Sequence, residues 1–62
     1  MKNRIKKYRL KIGMSQEALG ALSGLGLRAV YDLETGGRAL TPETAARLAD
    51  TLGTSAEELM LF

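Results

Sequence analysis

The stretch Ser15–Gly36, SQEALGALSGLGLRAVYDLETG, decides the fold. Its glycines and apolar residues divide it into two short amphipathic segments joined by a turn. Ser15 predicts a helix start, because its hydroxyl oxygen can accept from an N–H group that the first helical turn leaves unpaired. Ala18, Leu19 and Leu22 then recur at helical spacing and predict a buried face. Gly20 sits inside that segment at a cost of up to ~1 kcal/mol against alanine. A glycine tolerated there implies a close approach by another helix. Gly24 ends the segment, with the positive φ that glycine adopts without a steric penalty. A second helix is predicted from Gly26 or Leu27 to about Glu34. With 3.6 residues per turn, Ala29, Val30 and Leu33 point one way, and Leu27, Arg28, Tyr31, Asp32 and Thr35 cluster on the opposite side. The Thr35-Gly36-Gly37 stretch breaks the helix. Leu25, the apolar residue of the turn Ser23-Gly24-Leu25-Gly26, is placed to plug the junction beside Leu19, Val30 and Leu33.

Working outward, Ile5, Tyr8 and Ile12 share one face of a helix from about Lys2 to Ile12, which Gly13 stops. Tyr8 is expected in the core. Arg38 to Leu40 read as loop. Thr41 caps a further helix, with Pro42 at its first position, where a missing N–H is harmless. Ala45, Leu48, Ala49 and Leu52 form the inner stripe, and Gly53 stops it. Ser55 caps the last helix, Glu58 completes a capping box, and Leu59 packs with Phe62. No linker, repeat or strand pattern interrupts the chain. The expectation is a single all-α domain over 1–62, a compact five-helix bundle. Two short helices meeting at a tight turn over about 15–36 make a helix-turn-helix, in which the second helix can lie in a DNA major groove.

Composition bounds the function. A chain of 62 residues buries only roughly 60% of the surface that its unfolded form exposes. Such chains are usually held by disulfides, a metal or a partner subunit. There is no cysteine and no histidine, which excludes a disulfide and leaves no basis for a zinc site. Tight helix packing and self-association remain. No apolar run approaches the ~20 residues of a membrane span. No apolar stretch follows the basic N-terminus, so it does not read as a signal peptide. The expectation is a soluble cytoplasmic protein without membrane contact, cofactor, metal or small-molecule ligand.

The net charge is only +2, but it is unevenly spread. Met1 to Thr41 carries eight basic and three acidic residues, whereas Pro42 to Phe62 carries one basic and four acidic. The asymmetry fits a face that meets a polyanion, and equally an ordinary solvated basic helix. Lys2, Lys6 and Lys7 read as surface lysines with a general electrostatic contribution. No catalytic constellation is present. Ser15, Ser23 and Ser55 read as caps or turn residues, the carboxylates form no inward pair, and no strand precedes the Gly24-x-Gly26 pair. The chain is not expected to be an enzyme.

Ser15-Gln16-Glu17-Ala18-Leu19, Ser23-Gly24-Leu25, Arg28-Ala29-Val30-Tyr31-Asp32-Leu33-Glu34 and Gly36 resemble the lambda-repressor-like, Xre-type helix-turn-helix family. So do the Ile5…Arg9…Gly13 spacing and the later Pro42-Glu43-Thr44…Leu48-Ala49…Leu52-Gly53…Ser55…Glu58-Leu59. The resemblance runs ungapped from about Lys2 to Phe62. It implies a DNA-binding transcriptional regulator, with double-stranded DNA as partner and a homodimer on a pseudo-palindromic site. Host, phage, plasmid and antitoxin roles stay open. At the start of the helix-turn-helix, beside the cap Ser15, Gln16 would touch phosphate and brace the second helix. Gly26, Leu27, Arg28, Tyr31, Asp32 and Thr35 would lie on the DNA side, and Arg38 would meet the backbone. Arginine can pair with guanine, leucine can touch a thymine methyl, and aspartate can accept from cytosine N4. Arg9 and Glu34 would form a structural ion pair.

The sequence departs from the family at several points. Gly26 replaces a Ser or Thr, Leu27 and Tyr31 make the reading face apolar, Asp32 makes it partly acidic, and Leu40 stands where proline is common. Asp32 could repel phosphate or pair with Arg28 at i,i+4. Met60, Leu61 and Phe62 end the chain in apolar residues, of which one or two should cover the core and the rest could form a dimer contact. The apolar reading face also fits a protein-interaction module that keeps the fold without specific DNA binding.

Overall fold

A computed structural model describes residues 3–61. Among them run five helices: α1 (Ile5–Lys11), α2 (Gln16–Ser23), α3 (Leu27–Thr35), α4 (Pro42–Leu52) and α5 (Ala56–Met60). The expected order holds, and α2, α4 and α5 start on side-chain caps as the sequence predicts. Ser15 Oγ accepts from the Ala18 N–H, Thr41 Oγ1 from Thr44 and Ser55 Oγ from Glu58. Helices α2, α3 and α4 end at Gly24, Gly36 and Gly53.

The core is built from Ile5, Leu19, Val30, Leu33, Leu48, Ala49, Leu52 and Leu59, with Tyr8, Met14, Leu25 and Leu40 packed against it. Each helix therefore contributes at least one buried aliphatic side chain. Helix α2 lies closest to α3, and α4 closest to α5. The turn between α2 and α3 is tight because Gly20 has no side chain. A Cβ there would stand 2.5 Å from the Gly26 carbonyl carbon and 2.7 Å from its oxygen. The Gly26 N–H donates to the Gly20 carbonyl at 3.0 Å across this contact. The close approach expected at Gly20 is thus backbone against backbone, at the entry to α3.

Some expectations from the sequence fail locally. Helix α1 begins at Ile5, because Asn3 accepts the Ile5 N–H through Oδ1 at 3.1 Å. Lys2 lies outside the described residues. Ile12 is exposed, as it follows the last turn of a helix that ends at Lys11. Leu22 is exposed as well, at 66%, because Leu19 and Gly20 supply the contact face of α2. Tyr8 packs on the core, yet its hydroxyl donates to Glu58 Oε1 at 2.7 Å. Only the hydroxyl half of the predicted capping box is used as expected, since the Glu58 carboxylate is turned toward α1. Met60 is half-buried and Leu61 is 47% exposed, whereas Phe62 and its predicted packing on Leu59 lie outside the described residues.

Candidate nucleic-acid interface

The interface is organised around α3. Ala29, Val30, Leu33 and Glu34 are its buried residues, spaced so that Leu27, Arg28, Tyr31 and Thr35 emerge together on the other side. Leu27 and Tyr31 are each about half exposed, and the Arg28 side chain is 85% exposed. Asp32 is less open than its place on this face suggested, because it is drawn into two local structures. Its carboxylate accepts from Arg28 Nε at 3.2 and 3.4 Å. Its carbonyl accepts the N–H groups of Gly36, Gly37 and Arg38 as the chain leaves the helix. Arg38 is exposed just beyond this turn. The Thr35 hydroxyl donates to the Tyr31 carbonyl at 2.9 Å, leaving its oxygen able to accept.

A charged clamp holds α3 from its buried side. Arg9 donates through Nε to Glu34 Oε2 at 2.7 Å and through Nη2 to Oε1 at 3.1 Å. The arginine fork thereby matches the carboxylate bidentately. Its third group, Nη1, donates to the Met14 carbonyl at 2.8 Å, joining α1, the α1–α2 loop and α3. Gln16 adds its Nε2 to Glu34 Oε1 at 3.0 Å, so the side chain at the first residue of α2 braces α3. The Arg9 and Glu34 side chains are only 8% and 2% exposed. The hydrogen bonds that Arg9 donates to Glu34 raise its pKa above the ordinary arginine range, against the opposing effect of burial. The stability linked to the arginine's charge is therefore fully present below the arginine range and is lost as pH climbs through the raised value. Among the described residues, no buried side-chain nitrogen or oxygen lacks a partner.

One residue of this support was missed in the sequence. Asn3 is buried, and its Nδ2 donates to the Leu33 carbonyl at 2.9 Å. Its Oδ1 holds the start of α1, so one amide side chain links the entry of α1 to the last turn of α3. An asparagine two residues before an apolar helical face is a readable capping signal, but its second bond depends on the tertiary fold.

Gly26 is the N-cap of α3 and takes φ 92°, ψ 158°. This region is essentially restricted to glycine. The hydroxyl that a Ser or Thr would bring is absent here, and the backbone path explains why glycine stands in its place. Between α2 and α3, Gln16, Leu27, Arg28 and Tyr31 line an open notch of about 480 Å³.

No helix among the described residues is long and apolar enough to cross a membrane. No curated protein and no solved structure matches the chain significantly. A family model described as helix-turn-helix matches residues 5–59, from the first residue of α1 into α5. The chain belongs to the lambda-repressor-like, Xre-type helix-turn-helix family, whose members are DNA-binding regulatory domains.

Proposed function

We propose that the chain is a sequence-specific transcriptional regulator, a repressor that binds a pseudo-palindromic operator as a homodimer with α3 in the major groove. The observation that carries this reading is the two-sided character of α3. One side is locked by Arg9, Glu34, Gln16 and Asn3, while the other presents Leu27, Arg28 and Tyr31 to solvent. A helix held this firmly can bring side chains to base edges in a fixed register. Ser15, Gln16 and Gly26 stand at the entries of α2 and α3, where free N–H groups favour phosphate. Thr35 and Arg38 flank the exit of α3, and Arg38 meets the backbone as a positioning contact. Half-sites would lie about one helical turn, roughly 34 Å, apart. The exposed Leu61, with Met60 and Phe62, supplies the dimer contact.

The test is selection from random-sequence duplex DNA across a salt series. A symmetric motif whose affinity falls steeply with salt is expected. The absence of any enriched motif at low salt would contradict the proposal. A protein-interaction module is the second reading, favoured by the apolar notch between Leu27 and Tyr31. Arg28→Ala discriminates: altered base preference supports DNA reading, while unchanged DNA binding with loss of a protein partner supports the second reading.

A further inference from the structure

Leu27 and Tyr31 lie at i and i+4 on α3, with Arg28 beside them and Gln16 closing the notch from α2. Two of the four lining side chains, Leu27 and Tyr31, are large and mainly apolar. In the major groove, thymine alone among the four standard bases presents a methyl group, and guanine presents two acceptors, O6 and N7, that suit an arginine fork.

Asp32 shapes what Arg28 can do. Its carboxylate takes the Nε edge of the guanidinium. The terminal nitrogens Nη1 and Nη2, on a side chain 85% exposed, remain for bidentate donation. Asp32 is itself held: its side chain is only 23% exposed, and its carbonyl is bound by the turn at Gly37 and Arg38. A carboxylate bonded to arginine and partly covered in this way is poorly placed to accept from cytosine.

We propose that this notch reads a thymine next to a guanine. Leu27 and Tyr31 seat the thymine 5-methyl group, Arg28 donates to guanine O6 and N7, and Asp32 is a positioning residue that fixes Arg28. This rests on the reading of α3 as the DNA-recognition helix and specifies what that helix recognises.

The experiment uses the operator obtained by selection, measured by fluorescence anisotropy. Replacing the contacted thymine by uracil deletes one methyl group and nothing else. Binding should weaken about fourfold, the worth of one buried methyl, and Leu27→Ala, at a half-exposed position, should abolish the difference. Asp32→Asn removes a negative charge from a DNA-facing surface, so affinity for random-sequence DNA should hold or rise. Its preference for guanine over other bases should nonetheless fall severalfold, with an unchanged thermal midpoint. Equal binding of uracil and thymine operators by the unaltered protein at every position, or full guanine preference in Asp32→Asn, would overturn the proposal. A selected motif indifferent to the methyl group removes this inference alone, whereas failure to select any motif removes the DNA-reading role as well.

Discussion

Replacing Arg9 by methionine tests whether the clamp beneath α3 holds the fold. The substitution keeps most of the side-chain volume but deletes two hydrogen bonds to Glu34 and one to the Met14 carbonyl. Glu34, 2% exposed, is left with the neutral Gln16 amide as its remaining side-chain donor among the described residues. Breaking a buried ion pair from one side costs about 3–5 kcal/mol. Domains have roughly 0.05–0.15 kcal/mol of stability per residue, which for this length is about 3–9 kcal/mol in total. Arg9→Met should therefore consume most of the folding free energy. Replacing both partners, Arg9→Met with Glu34→Leu, removes the stranded carboxylate and should recover most of the loss, because an apolar pair of similar volume is often neutral or stabilising. Gln16 is half-buried and can turn its amide to water. Urea titration followed by circular dichroism reads all three proteins. A loss below about 1 kcal/mol in the single variant, the worth of an ordinary hydrogen bond, would show that the clamp does not hold the fold. So would a double variant no more stable than Arg9→Met.

Other outcomes follow from the same contacts. Gly20→Ala should destabilise the fold by about 1–3 kcal/mol, the range for overpacking, because its Cβ would strike the Gly26 backbone at 2.5 Å; thermal melting checks this. Asn3→Ala deletes the tie to the Leu33 carbonyl and should cost about 1–3 kcal/mol, read as a lower urea midpoint with an unchanged slope. Arg38→Ala should weaken binding almost equally on all sequences and reduce the salt slope by about 1, which anisotropy titrations at several salt concentrations measure.

The parts of the fold legible in the sequence are those set by local chemistry. Ser15, Thr41 and Ser55 announce caps through their hydroxyls, and the buried spacing of Ala29, Val30 and Leu33 follows from the helical period. Gly20 was legible as a close approach because glycine inside a helix is costly without a reason, although its neighbour, the Gly26 backbone, was not. Leu22 and Ile12 misled because periodicity reports a face, not where packing ends. Helix α1 stops before Ile12, and the α2 contact face is centred on Leu19 and Gly20. The Arg9–Glu34 pair came from family resemblance, since nothing local joins residues on separate helices. Asn3 and the Asp32 buttress depend on the same kind of tertiary meeting. The sequence leaves Asp32 open to accepting from cytosine, repelling phosphate or pairing with Arg28, and in the structure its carboxylate accepts from Arg28 Nε.

In the proposed function α3 reads base edges, with Arg28 as a principal reader. The most direct measurement is parallel selection of bound duplex DNA by the unaltered protein and by Arg28→Ala, both at low salt. The unaltered protein should enrich a symmetric motif, and Arg28→Ala should lose preference at one base pair per half-site while keeping the rest, at a cost of about 1–3 kcal/mol in affinity. Identical motifs from both proteins, or none from the unaltered one, would contradict a base-reading role for α3 and Arg28.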